Sequence, residues 1–350
     1  MTKPQIGASR PSILAAPTVA DLIPPDPKGL FHAYVARAQR ITDAPDLYHV
    51  GALLGGLSAV IAPHCVFSFG KGVGDHPLHL WVMLSGASGN RKTYCVDLAT
   101  QVGDKKKKPD GIFAPWLKKR MFDATGSLRG LEDLVAQEPN TFFRIREGGA
   151  FLAENRGRPG GVSPSWWCKM FDGQLQDRAV RTSGIASFDA GKARNRYILP
   201  TLLAATATDA MRSYTKPVDW SGGFLARMLF VDAGRGQRRI EHGWWSDADI
   251  ARIRELVTRA EEAARRSGSV TWDKDARWVY EPWFNTLPDA VEGLGPGRSA
   301  ILDRLDRHVR VIAGLYALGS GVSVITGPIM RAAVALGRLC HGAILRLPTD

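Results

Sequence analysis

One segment constrains this chain more than any other. Leu78-His79-Leu80-Trp81-Val82-Met83-Leu84 is almost wholly apolar and runs without a break into Ser85-Gly86-Ala87-Ser88-Gly89-Asn90-Arg91-Lys92-Thr93. A strand with no polar face cannot lie against water, so it predicts a sheet covered on both sides, the usual condition of parallel strands in α/β proteins. Helical spacing resumes from Lys92 to about Gln101. The Gly70–Asp75 stretch before it predicts a hairpin turn, with Val66–Phe69 as the first strand and Leu78–Leu84 as the second.

A strand, a glycine-bearing loop and a helix in direct succession form a unit suited to anions. Glycines let backbone N–H groups curl inward, and the helix N-terminus adds unpaired donors and partial positive charge. Residues 86–93 match G-x-x-x-x-G-K-[ST] except that Arg91 replaces the last glycine. On this reading Gly86, Ser88, Gly89, Asn90 and Arg91 surround a polyphosphate, Lys92 reaches the β- and γ-phosphates of ATP, and the Thr93 hydroxyl ligates Mg²⁺. The alternative is an ordinary Gly/Ser/Asn turn between a strand and a helix. Arg91 puts a side chain where backbone approaches closely, although its charge could itself hold phosphate.

Hydrolysis needs an acid at a strand end to hold the metal and polarise water. Phe142-Phe143-Arg144-Ile145-Arg146-Glu147 is the best candidate, with Glu147 as the acid and second metal residue and Arg146 where an aspartate is expected. Asp123, after Arg120-Met121-Phe122, could substitute, and a solvated turn carboxylate is the bland alternative for Glu147. Tyr197–Thr206 reads as another buried strand whose last residue, Thr206, could touch the γ-phosphate or attacking water; a helix cap at Thr208 or Asp209 competes with that reading. Arg227, in an apolar segment, is either an arginine finger for a neighbouring subunit or half of a structural salt bridge. Arg310 is either a sensor or part of a solvated stripe with Arg304 and Arg307, and the stripe is favoured.

Three further blocks accompany the loop: the helical lead-in Pro45-Asp46-Leu47 through Leu57-Ser58, Gly222-Gly223-Phe224-Leu225-Ala226-Arg227-Met228-Leu229-Phe230, and Leu305-Asp306-Arg307-His308-Val309-Arg310-Val311-Ile312-Ala313. Together with a loop of the form GxSGxRK[ST] they resemble a family of P-loop ATPases carried by prophages, plasmids and genomic islands, similar to the helicase module of phage-type primase–helicases. The resemblance spans about residues 28–345. It implies a P-loop NTPase-like α/β fold, Mg²⁺ and ATP as cofactors, and DNA replication of a mobile element. It further implies single-stranded DNA as partner, a homo-oligomeric and hexameric ring, and a separate primase. It tolerates Arg91 but expects an acid at position 146. Two other readings stay open: a degenerate nucleotide- or DNA-binding subunit without turnover, and a nucleotide-switched regulatory or defence protein.

Charge agrees with an anionic partner. Forty-six Lys and Arg face 34 Asp and Glu, leaving +12. Candidate DNA contacts are Lys105, Lys106, Lys107, Lys108, Lys118, Lys119, Arg194 and Arg196, with Trp116, Trp166 and Trp167 near such clusters as either base-stacking or core residues. Cys65, Cys95, Cys168 and Cys340 form no C-x-x-C pair and the histidines no metal spacing, so no disulfide framework or zinc cluster is expected. The apolar run Val50–Pro63 is too short to cross a membrane, and a cytoplasmic location is expected. The expected organisation is a flexible leader at 1–25, a helical lead-in at 26–64, the P-loop core at 65–240, and a helical subdomain at 241–350. In that subdomain Asp247–Ser267, Trp272–Leu287, Arg298–Leu318 and Pro328–Leu347 read as helices.

Overall fold

The computed structural model describes residues 18–68, 75–103, 109–123, 128–157, 163–172, 200–216, 219–220, 222–234 and 243–348. Nine strands lie among them: β1 (Val66–Phe67), β2 (His76–Pro77), β3 (Trp81–Ser85), β4 (Met121–Asp123), β5 (Phe142–Ile145), β6 (Thr201–Ala205), β7 (Met228–Asp232), β8 (Ser269–Trp272) and β9 (Val324–Ile325).

Strands β3 to β7 form one sheet in the order β4-β5-β6-β3-β7, and every pairing in it is parallel. All five residues of β3 and of β6 are buried, as their unbroken apolar character requires. Chain order reverses direction at β3. From there the chain crosses to the far edge, returns through β5 and β6, and only then adds β7 on the other side. Such a switch point opens a crevice at the carboxyl ends of the strands, where α/β sheets bind ligands.

The helix Asp46–Ile61 lies on one face of this sheet and is buried on nearly every side. Its small residues permit the contact: a Cβ at Gly51 would stand 2.7 Å from Leu84 of β3 and one at Gly55 3.1 Å from Leu203 of β6, while Gly56 meets the Phe113 ring. The helices Leu30–Ile41, Asp247–Ser267, Leu305–Gly319 and Gly327–Leu345 add their apolar faces to the same continuous core. Asp247–Ser267 begins at Ser246, whose Oγ accepts from Asp249 N at 3.1 Å, and ends at Gly268 with φ +63°. Gly327–Leu345 is long and apolar enough to cross a membrane, yet 56% of its apolar window is buried inside the protein. All four cysteines are buried and free.

The expected hairpin is corrected. Val66–Phe67 pairs antiparallel with His76–Pro77, not with the long apolar segment. Between them and β3 the chain is held by a helix side chain: Ser58 Oγ accepts from Leu80 N at 2.7 Å and donates to Leu78 O at 3.1 Å. That breaks the ladder and frees Trp81–Ser85 to enter the central sheet. The small strands join a second sheet, β2-β1-β8-β9, in which β8 and β9 stand where helix or loop was expected. One further element differs from expectation. Arg298–Leu318 divides into Pro296–Leu302 and Leu305–Gly319.

Candidate functional site

The loop after β3 lies at the switch point, between the ends of β6 and β7. Ser85 closes the strand, and the chain turns through Gly86 at φ +138° and Gly89 at φ +82°. Gly86 is also required by space, because a Cβ there would lie 2.3 Å from the Tyr48 hydroxyl and 3.0 Å from Asp232 Oδ1. Arg91 adopts φ +60° and ψ +17°, the sole left-handed non-glycine among the described residues. The backbone thus takes a glycine's conformation although the residue is arginine, at a cost of about 1 kcal/mol. Its Nε lies 3.3 Å from Asp43 Oδ1, a carboxylate that is only 5% exposed.

Ala87, Ser88 and Gly89 are exposed, and their N–H groups donate to no acceptor among the described residues. Asn90 and Lys92 are buried. The Lys92 ammonium folds back into the loop and donates to Gly86 O at 3.0 Å and Ala87 O at 2.7 Å. Burial lowers its pKa, while the carboxylates of Asp232 and Glu147 pull the other way. Asp232 ends β7 beside Ser85 and is raised by burial, against the pull of Arg346 and Lys92; Arg346 Nε stands 3.8 Å away.

Glu147 follows β5 and is exposed. The Thr93 hydroxyl donates to Arg146 O at 3.3 Å, so the start of the helix and the end of β5 meet directly. Arg146, the cation that stands in the expected acid position, turns to the helix and pairs with Asp97 Oδ2 at 2.7 Å. The Thr93 hydroxyl thus reaches the backbone of the residue next to Glu147. Mg²⁺ takes few protein ligands when phosphates and water complete its shell. Among the described residues no group of three or more His, Cys, Asp or Glu side chains forms a metal cage.

Thr206 follows β6, next to the end of β3 on one side and Gly148 on the other. Its N–H donates to Leu84 O at 2.9 Å and its Oγ1 to Ala207 O at 3.3 Å; it packs against Gly148. The next helix starts at Thr208 with Ala207 in the cap position, so neither Thr208 nor Asp209 caps it. Asp123 ends β4, on the far side of β5.

Arg227 lies elsewhere. It precedes β7, at the amino edge of the sheet, and the five residues of that strand separate it from the loop by roughly 16 Å. Asp172 takes it in an ion pair, Gly223 O accepts from Nη1 at 2.7 Å, and the side chain is 9% exposed. Of the two readings of Arg227, the salt bridge is the one seen within the chain. Arg307 is half-buried over the Phe171 ring, 4.7 Å from its centroid, and Arg310 pairs with Asp306, so the solvated-stripe reading of this helix is corrected. Lys118 and Lys119 are exposed in the turn before β4. Lys105, Lys106, Lys107, Lys108, Arg194 and Arg196 lie outside the described residues. Trp166 and Trp167 pack in the core, Trp167 edge-on to Trp81 and Phe143, so the core alternative holds for these two rings, while Trp116 is half-buried and donates to Glu261.

Three residues of the site escaped the sequence reading: Tyr48, Asp97 and Asp232. Tyr48, wholly buried, donates its hydroxyl to Ser85 O at 2.7 Å and reaches Ala233 O at 3.0 Å, tying together the ends of β3 and β7. Asp232 had a signal, an acid closing an apolar strand. Tyr48 and Asp97 sit within helical patterns and had none. The chain matches no protein-family model and no curated protein.

Proposed function

We propose that the chain binds ATP with Mg²⁺ in the loop 86–93 and hydrolyses it as a helicase-like motor on single-stranded DNA in the replication of a mobile element. One observation carries the nucleotide reading. A lysine is buried at the base of an N–H-lined loop with left-handed turns, at the switch point of a parallel sheet, and feels the carboxylates of Asp232 at the end of β7 and Glu147 after β5. Arriving phosphates would take the Lys92 ammonium from Gly86 O and Ala87 O and meet the exposed N–H groups of Ala87, Ser88 and Gly89. Thr93 and Glu147 would hold the Mg²⁺, which supplies charge neutralisation on the transferring phosphoryl group. Glu147 is the base that orients the attacking water, and Thr206 positions it from the adjoining strand.

Arg227 takes no part in this proposal. DNA, a ring of identical subunits, a separate primase and a cytoplasmic setting rest on the family resemblance and on the +12 charge. A second reading, binding without turnover, is favoured by Arg146 beside Glu147, although Asp97 neutralises that cation.

Calorimetric titration of Mg²⁺ATP, followed by phosphate release with and without single-stranded DNA, tests both readings. Wild type is expected to bind, and Lys92→Ala to lose binding by more than tenfold. Glu147→Gln is expected to bind and fail to turn over. Equal affinity of wild type and Lys92→Ala would end the proposal; binding with no phosphate release by wild type would leave the second reading.

A further inference from the structure

The amino edge of the sheet, remote from the loop, holds a concentration of cations that the proposed reaction does not use. Arg227, Arg304 and Arg307 all feel the Asp172 carboxylate, and two of them also face the Phe171 ring. The Arg227 and Arg307 guanidiniums stand 5.8 and 4.7 Å from the centroid of the same Phe171 ring. A methyl group at Gly223 would meet Nη1 of Arg227 at 2.8 Å and Nη2 of Arg304 at 4.0 Å, so those two guanidiniums border one point. Asp172 is already engaged by both Nε and Nη2 of Arg227. Asp306 is taken by Arg310, and Asp303 acts on Arg304 only as the weakest of its influences.

Arg304 and Arg307 are thus left with no hydrogen bond from their side chains to any acceptor among the described residues, and both are half-buried rather than enclosed. Arg304 is also the N-cap of the fifteen-residue helix Leu305–Gly319, which has no side-chain cap. The positive end of that helix adds to the same field. The surroundings register the excess charge. Burial and the neighbouring arginines bring Arg307 down to about 10, and His79 and His308, fully buried beside them, to about 3. Among the described residues, three cations surround one committed carboxylate, an arrangement that costs free energy when empty. Planar guanidiniums with open donor edges match the oxygens of a phosphate, which they bind bidentately.

We propose that Arg304 and Arg307, beside the Arg227–Asp172 pair, form a second anion site that takes a phosphate group. The group comes either from a nucleic-acid backbone or from a small phosphate compound, and the test separates these sources. It is run on the full chain carrying Lys92→Ala, so that the loop at the other edge of the sheet contributes nothing and failure of the ATP reading does not affect the result.

Inorganic phosphate at tens of millimolar is expected to raise the melting temperature of this protein by about 2–4 °C, and Arg304→Gln with Arg307→Gln to abolish that rise. If the nucleic-acid backbone is the source, the same two changes also weaken binding of a labelled twenty-residue thymidine oligonucleotide by tenfold or more. They then flatten the salt dependence of that binding by about 0.7 for each phosphate no longer neutralised. Loss of phosphate stabilisation with unchanged oligonucleotide affinity assigns the site to a small phosphate compound. Removing surplus cations should leave the ligand-free protein as stable as before or more so. A lower ligand-free melting temperature would mark the arginines as structural and overturn the proposal, as would phosphate stabilisation that survives both changes.

Discussion

Arg91 shows how a single residue can depart from a pattern in identity while keeping it in geometry. The expected glycine is missing, but φ stays at +60° and Asp43 restrains the longer side chain. The strain and the ion pair can be separated. Arg91→Gly relieves the left-handed strain, whereas Arg91→Ala keeps the strain and loses the ion pair. Chemical denaturation should therefore place the glycine variant above the alanine variant by about 1 kcal/mol. Tyr48 is the converse case, invisible in sequence and central in space. Tyr48→Phe leaves two buried carbonyls, Ser85 O and Ala233 O, without this donor, and should cost about 1–3 kcal/mol in the same measurement. The strand, loop and helix at 81–100 could be read because their requirements are local: an apolar run, turn glycines and a helix start in direct succession. The residues that brace them are distant in sequence and carry no spacing signal. The partner of Arg227 was equally hidden, since only the folded chain brings Asp172 to it.

Elements were legible in proportion to their length. The helices Asp247–Ser267 and Gly327–Leu345 and the strands β3, β5 and β6 carry enough periods or enough apolar residues to announce themselves. The short strands β8 and β9 do not, and they are defined by partners far away: β8 pairs with β1 across some two hundred residues. The long apolar segment 78–84 misled in one respect. Its apolar character placed it correctly inside a covered sheet but could not reveal that Ser58 interrupts it. Ser58→Ala should destabilise by about 1–3 kcal/mol, because Leu80 N loses its acceptor in a buried position. Gly56→Ala should cost a comparable amount, since the helix Asp46–Ile61 and the Phe113 ring must move apart. Thermal melts of the two variants, with circular dichroism to confirm the fold, check both.

For the whole molecule, three fully buried histidines set the response to acid. His49, His79 and His308 are each brought by burial to about 3, against about 6.5 in an unfolded chain. The native state then binds fewer protons than the unfolded state, so the stability these groups contribute is complete above pH 6.5 and is lost as pH falls toward 3. By pH 5.5 the three together should have cost about 4 kcal/mol, and urea midpoints measured from pH 7.5 down to 5 should fall steeply below about 6. The site also reaches the far end of the described chain. Asp232 is shared between Lys92 in the loop and Arg346, which follows the helix Gly327–Leu345. Any anion that draws Lys92 away leaves that carboxylate to Arg346 alone, and the pair tightens. Filling the loop should therefore slow amide exchange around residues 343–347, making the last helix a built-in reporter of whether the loop is empty or full.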